Sequence, residues 1–339
     1  MLHEDLEDRV ITDRGSWFHH APLHAPADWP MCKPMTYRIA HLSDCHLGPL
    51  PSIRRRELLS KRVLGYINWQ RNRAKAFVAG TTENLIADMQ AQSPDHIAVT
   101  GDLVNLGLEA EFENAGRFLA GLGTPETVTA IPGNHDAYVP GALDRFNLHC
   151  APYLTSDPDR APQIGPYPVI RQRGPVVIVG LSTAHASGPF MASGAVDRRQ
   201  RERMKAELFS TSGQFRVVLI HHPPFDKAGP WHKRLIGAKD VRAIWQSTGA
   251  ELILHGHTHL PTRRTVEGPE GPIAVFGVAS AAQAAGGHRP AASYTLFDVG
   301  ETANGWTVTA TRRGYPHSGG AVAELSKEAF EVARPSGTT

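Results

Sequence analysis

Five short apolar runs along this chain each end in a cluster of Asp, Asn or His, mostly next to Gly. That recurrence limits the fold more than any other feature. The runs are "YRIAHL" into "SDCH" (37–46), "HIAVT" into "GDLVN" (96–105), "TVTAIP" into "GNHD" (127–136), "FRVVLI" into "HHPP" (215–224) and "AELILH" into "GHTH" (250–259). Each reads as a strand followed by a loop. "PVVIVGLST" (175–183) is a further buried strand. Between them lie helical patterns: residues 54–92, the amphipathic "EAEFENAGRFLAGL" (109–122), the charged 197–209, and 239–247. Strands alternating with helices predict a mainly parallel sheet. Late in the chain, "TRRTVEG", "GPIAVFGVAS", "ASYTLFDV" and "GWTVTATRR" follow one another with only turns between, which adds antiparallel strands. The expected class is α/β: a two-sheet β-sandwich flanked by helices on both faces.

Residues 1–35 carry Pro22, Pro26, Pro30 and Pro34, four histidines and no sustained periodicity. They read as an irregular extension. The domain is expected over 36–320, with a basic helical insertion at about 52–77 and a polar, flexible tail at 321–339. Cys32, Cys45 and Cys150 form no CxxC pair, which argues against a disulfide framework and for a reducing, cytoplasmic setting. The start "MLHEDLEDRVITDRG" has no apolar signal-like core. No run reaches the ~18 apolar residues of a spanning helix. A net charge of +2 is not that of a polyanion-binding cloud.

In open α/β sheets, ligands bind beyond the carboxyl ends of strands. Five such ends would bring Asp44, His46, Asp102, Asn134, His135, His221, His222, His257 and His259 around one cleft. Carboxylate, amide oxygen and imidazole together suit first-row divalent ions. Asp-x-His and His-x-His spacing puts two donors on one side of an extended segment. Gly101, Gly133 and Gly256 let the backbone turn tightly beside them. His41 and His96 lie within strands and are expected to be structural. Cys45 is expected to be a small filler. His255 stands one step before Gly256 and is expected to be a bystander. His185 follows a strand and is a candidate for the cleft rim.

Taken in order, the motifs Asp44–His46, Gly101–Asp102, Gly133–Asn134–His135–Asp136, His221–His222–Pro223 and Gly256–His257–Thr258–His259 resemble those of the calcineurin-like metallophosphoesterase superfamily. The resemblance covers roughly residues 36–300 and implies an αββα architecture. It also implies two divalent metal ions (Mn, Fe or Zn) and a phosphate-ester substrate. Asp44, His46 and His259 would hold one ion, Asn134, His221 and His257 the other, and Asp102 would bridge them. The His-x-Pro spacing favours His221 over His222. His135 would assist the leaving group, and Asp136 would orient His135 or brace its loop. Retention of His46, as in diesterase-like members, favours phosphodiester or pyrophosphate bonds, cleaved by a metal-bridging hydroxide. Physically, two cations about 3.5–4 Å apart clamp a phosphoryl oxygen and lower the pKa of a water between them. A non-catalytic metal-binding scaffold on the same fold is the alternative. Such relatives tend to lack ligands or the leaving-group histidine, and here every one is present.

The insertion "SIRRRELLSKRVLGYINWQRNRAKAF" holds Arg54, Arg55, Arg56, Lys61, Arg62, Arg71, Arg73 and Lys75 against Glu57, a local +7. Leu58, Leu59, Val63, Leu64, Tyr66, Ile67 and Trp69 interleave at mostly helical spacing. One reading is a helix packed on the domain with a solvated basic face. The other is a membrane-surface enzyme acting on a lipid substrate, with residues 54–75 resting on an anionic membrane. The apolar face argues against nucleic acid as the partner.

Overall fold

A computed structural model describes residues 36–58, 60–73, 80–162 and 164–335 of the protein. The expected extension 1–35, and Leu59 and Lys75 of the insertion, lie outside the described residues. The strand Phe215–Ile220 shows why two layers form. Phe215, Val217 and Leu219 point to one side, into a cluster shared between two sheets. Val218 and Ile220 point to the other side, into a cluster shared with helices. Period-two alternation of apolar residues buries both faces of a strand. Each fully buried Val, Leu or Ile stabilises by about 1.5–3 kcal/mol.

In chain order the strands are β1 (Thr36–Leu42), β2 (His96–Val99), β3 (Val128–Ala130), β4 (Val169–Arg173), β5 (Val176–Gly180), β6 (Gly194–Ala195) and β7 (Phe215–Ile220). They continue with β8 (Leu235–Ile236), β9 (Leu252–His255), β10 (Thr262–Gly268), β11 (Gly271–Gly277), β12 (Ser293–Thr302), β13 (Gly305–Gly314) and β14 (Ala323–Ala333). One sheet has the order β14-β13-β12-β1-β2-β3 and the other β10-β11-β9-β7-β5-β4. A short parallel pair, β6 and β8, stands apart. Helices α1 (Arg62–Asn68), α2 (Thr81–Ala91), α3 (Glu109–Leu122), α4 (Ala142–His149), α5 (Ala151–Leu154), α6 (Arg198–Ser210) and α7 (Ala238–Thr248) complete the chain.

Three clusters make the layers. Leu85 and Met89 of α2, Phe112 and Leu119 of α3 and Phe146 of α4 cover the outer face of the first sheet with Ala40, Leu42, Ile97 and Val99. Ile39, Ala98, Val176, Val217, Leu254, Phe297 and Val308 fill the space between the sheets. Met204 and Leu208 of α6 and Val241 and Trp245 of α7 cover the second sheet. Both helical faces and both sheets of the expected sandwich are therefore present.

Strands β1, β2 and β3 run parallel in one sheet, and β5, β7, β9 and β11 in the other. Their carboxyl ends share one edge in each sheet. No helix among the described residues is long and apolar enough to cross a membrane.

Two expectations are corrected. The segment taken for a flexible tail at 321–339 contains β14, paired with β13 from Gly305↔Ala333 to Gly314↔Ala323. Its charged residues mask a strand whose Phe330 and Val332 pack on the inter-sheet cluster. One face of this antiparallel strand is left to solvent, so its composition reads as polar. Residues 54–92, expected to be helical, are so in separate pieces: a 3-10 turn (Arg55–Leu58), α1, a π turn (Trp69–Arg73) and α2.

Candidate metal centre

The five loops meet beyond the carboxyl ends of β1, β2, β3, β7 and β9. They are laced by backbone bonds: Asp44 N–H donates to Gly101 O at 3.0 Å, His46 N–H to Asp102 O at 2.9 Å and Gly256 N–H to His221 O at 3.2 Å. Asp136 ties two of them together. Its buried carboxylate accepts from the N–H groups of Asp102 (2.8 Å), Leu103 (3.0 Å), Val104 (3.1 Å) and Gly133 (2.8 Å). Of the two roles expected for Asp136, these contacts are those of a brace. Burial and the nearby Asp102 push it up to about 7, against the N–H groups of Gly133 and Val104 and the His221 imidazole, which favour its charge.

Close approach explains the glycines better than chain flexibility does. A Cβ on Gly133 would overlap the Asp102 carboxylate and backbone, and one on Gly256 would overlap Ser43 and the Asp44 carboxylate. The neighbouring residues are strained instead. Asp44, His46, Asp102, His257 and His259 all take left-handed φ, between 41° and 68°. Non-glycine residues there cost about 1–3 kcal/mol each and gather at functional sites.

Side-chain atoms converge in three groups, each within 4.8 Å: Asp44, His46 and His259; Asp102, His221 and His257; and His46, Asp102 and His135. Asn134 joins the second, its Oδ1 lying 2.8 Å from His257 Nδ1 and 3.3 Å from His221 Nε2. Asp102 belongs to two groups, with Oδ2 3.4 Å from His221 Nε2 and 3.9 Å from His46 Nε2.

The hydrogen bonds around these rings fit a cation. Carbonyl oxygens only accept, so His221 Nδ1 must donate to Thr100 O (2.6 Å), His46 Nδ1 to Val104 O (3.3 Å) and His257 Nε2 to Lys233 O (3.0 Å). The other nitrogen of each neutral ring then turns a lone pair toward the oxygens of Asp102 or Asn134, or toward His259 Nε2, 3.3 Å from His46 Nε2. Asp44 Oδ1 is buried and accepts no well-aligned hydrogen bond. Acceptors facing acceptors repel unless positive charge sits among them. Without a metal, a proton can supply that charge at His221. Burial lowers His221, but Asp102 and Asp44 outweigh it and raise it to about 9. Burial raises Asp102, but His221, His135 and His46 outweigh it and hold its carboxyl well below the usual range. His259 differs, because Arg289 Nη1 lies 3.1 Å from its Nδ1.

The adjacent histidines separate cleanly. His222 spends one nitrogen on Thr183 Oγ1 (2.7 Å) and the other on Ala192 O (3.1 Å). Burial holds it down at about 3. It packs on His257 with ring centroids 4.2 Å apart and faces away from the carboxylates. His255 is buried and turns its Nδ1 back to Gly256 O at 3.0 Å. His41 and His96 bond Thr100 Oγ1 and Thr129 Oγ1, and Cys45 packs in the helix-side cluster. His185 is not among the residues lining the cleft.

His135 lies beside the first group, its ring 4.9 Å from that of His46. Its Nδ1 donates to Asn105 O at 2.7 Å, which directs Nε2 the other way. His46, Asp102, Asn134, His135, His257 and His259 open into a cleft of about 980 Å³, with Asp44 and His221 buried behind them. Its walls include Lys61, Leu64, Gly65 and Asn68 of the insertion and, from other loops, Tyr138, Phe190, Lys233 and Arg289. Among these, Tyr138 and Arg289 carried no motif signal, because their place depends on contacts with distant segments.

A family model described as calcineurin-like phosphoesterase matches residues 37–261, well over half of the chain. The protein therefore belongs to the calcineurin-like phosphoesterase family. Among solved structures, it resembles a purple acid phosphatase from seeds of yellow lupin (Lupinus luteus). The TM-score is 0.53 at 14% identity, covering 88% of this chain and 54% of that one. A 5'-nucleotidase precursor from Thermus thermophilus is matched with TM-score 0.43 and 17% identity, covering 88% of this chain and 55% of that one. Likeness at such identity reports the fold alone, and this chain spans about half the length of both. No curated protein matches it in sequence.

Proposed function

We propose that the protein is a dinuclear metal-dependent phosphohydrolase cleaving phosphodiester or pyrophosphate bonds. The observation that carries this reading is the convergence of Asp44, His46, Asp102, Asn134, His221, His257 and His259, five of which line the floor of one cleft, with His135 beside them. Asp44, His46 and His259 would hold one ion and Asn134, His221 and His257 the other, with Asp102 between them. Mn, Fe and Zn all suit these donors. Bound divalent ions supply Lewis acidity and a nucleophile at neutral pH. The chain's own residues do the rest. Thr100 O, Val104 O and Lys233 O fix the ligand rings through their far nitrogens, which orients a ligand and raises its basicity. His135, held by Asn105 O, presents Nε2 where charge grows on the leaving oxygen, and neutralises it or gives a proton. Free, buried Cys45 and Cys150 are compatible with work in a reducing cytoplasm.

Manganese-loaded protein is expected to turn over bis-p-nitrophenyl phosphate or a diesterified pyrophosphate faster than p-nitrophenyl phosphate. Protein that carries two metals yet hydrolyses none of the three would leave the scaffold reading in its place.

A membrane-surface enzyme with a lipid substrate is the second reading, favoured by the apolar rim of the cleft. Val63, Leu64 and Ile67 of α1 stand out from the surface, as do Phe190, Trp231 and Leu260. Arg54, Arg55 and Arg56 of the same insertion are exposed. Lys61 and Arg62 are not part of a solvated basic face. Lys61 Nζ donates to Ser187 O and Met191 O, and Arg62 to Leu106 O and Gly107 O. Replacing Arg54, Arg55 and Arg56 with Glu is expected to abolish sedimentation with phosphatidylglycerol vesicles. Equal sedimentation of both proteins, or none by either, would end the membrane reading.

A further inference from the structure

The insertion does more than wall the cleft. Ile53 and Tyr66 pack with Leu106, Leu108, Tyr138 and Val139 in a small cluster apart from the main cores. Tyr138 is its centre and is almost fully buried. The Tyr138 ring stacks on His135, with centroids 5.4 Å apart and planes inclined by 12°. The insertion holds the same ring. Lys61 Nζ lies over it, 4.7 Å from the centroid, while donating to Ser187 and Met191 across the cleft. Gly65 meets the phenol edge so closely that a Cβ there would overlap the Tyr138 hydroxyl and Leu106. Asn105 O holds Nδ1 of His135 at one end of the ring. The flat face of Tyr138 lies along the plane of the imidazole and bounds it there, while the His46 ring meets it edge-on at 4.9 Å.

We propose that Tyr138 is a positioning residue for His135, and that the basic insertion belongs to the active site because Gly65 and Lys61 clamp Tyr138. This rests on reading His135 as the group that assists the leaving oxygen. A leaving-group acid displaced by 1 Å can cost on the order of 10²-fold. The cost falls on substrates that need the proton. Nitrophenolate leaves without help, whereas phenolate leaves poorly.

The test is a series of aryl methyl phosphates with leaving groups from p-nitrophenol to phenol, measured on manganese-loaded protein. Tyr138→Leu is expected to lower kcat by about 10–100-fold for the phenyl ester and by less than about twofold for the p-nitrophenyl ester, with KM nearly unchanged. Tyr138→Phe keeps the stacked face and should restore the wild-type slope of rate against leaving-group pKa. Gly65→Ala should displace the Tyr138 ring and reproduce the Leu variant with full metal content, at a somewhat lowered melting temperature, because its Cβ would overlap the Tyr138 hydroxyl and Leu106. Loss that is uniform across the series, or no loss in Gly65→Ala and Tyr138→Leu while His135→Ala shows the slope, would overturn the proposal. A flat series for His135→Ala would instead remove the role of His135 itself, and the proposal would fall with it.

Discussion

Replacing His135 with alanine is expected to lower kcat by about 10²–10⁴-fold, the usual span for a lost general acid. Metal content should stay at the wild-type level. The separation of the two effects follows from the geometry. His135 hydrogen-bonds Asn105 O through Nδ1 and stacks on Tyr138; it meets the His46 ring edge-on at 4.9 Å, but His46 is held separately by its hydrogen bond to Val104 O. Its backbone N–H donates to Asp102 Oδ1 at 2.7 Å, and alanine keeps that bond. Atomic absorption for metal and steady-state rates on a diester with a poor leaving group, methyl phenyl phosphate, check both halves. Unchanged turnover would strip His135 of its assigned role. Lost metal would make it a ligand, consistent with its place in the third group of converging atoms.

The second large effect is expected from Asp102→Asn. Among the described residues, Asp102 is the only carboxylate shared by two of the converging groups. Its charge opposes the buried imidazoles on both sides. Losing even an outer partner of a metal ligand costs about 10–100-fold in affinity or activity, so a shared carboxylate should cost more than about 10²-fold. Metal stoichiometry should fall below two per chain, and activity should fall with it. The amide preserves shape and can still accept from His135 N–H, so a folding defect is not expected. An Asp102→Asn protein that retains two ions and its rate would show that the carboxylate does not bridge.

The motif residues were legible because their signals are local. A strand alternates at period two, a loop follows, and polar donors sit beside glycine within a few positions. The same locality placed Glu109–Leu122 as a helix and gathered Asp44, His46, Asp102, Asn134, His135, His221, His222, His257 and His259 as candidates, from which the family resemblance picked seven ligands. It failed where local chemistry is ambiguous. β14 reads as polar because one of its faces is solvent, and only its pairing with β13 shows it to be a strand. Lys61 and Arg62 read as part of a basic stripe until their carbonyl partners appear. Asp136 sits next to His135 in sequence, yet its carboxylate serves backbone N–H groups more than thirty residues away.

Taken alone, the sequence determined the class of fold and the kind of donors each loop brings, since both depend on neighbours within a few residues. Tertiary structure decided which atoms of those donors meet. The N–H of His257 reaches the Asp44 carboxylate across 213 positions, and His221 reaches Thr100 O across 121. The choice of His221 over His222 is of that kind. Both are buried, but the carbonyl of Thr100 takes one nitrogen of His221 and leaves the other facing the carboxylates. Thr183 and Ala192 use both nitrogens of His222. The place of Tyr138 against His135 has the same origin, because it is packing from a distant insertion that holds the ring there.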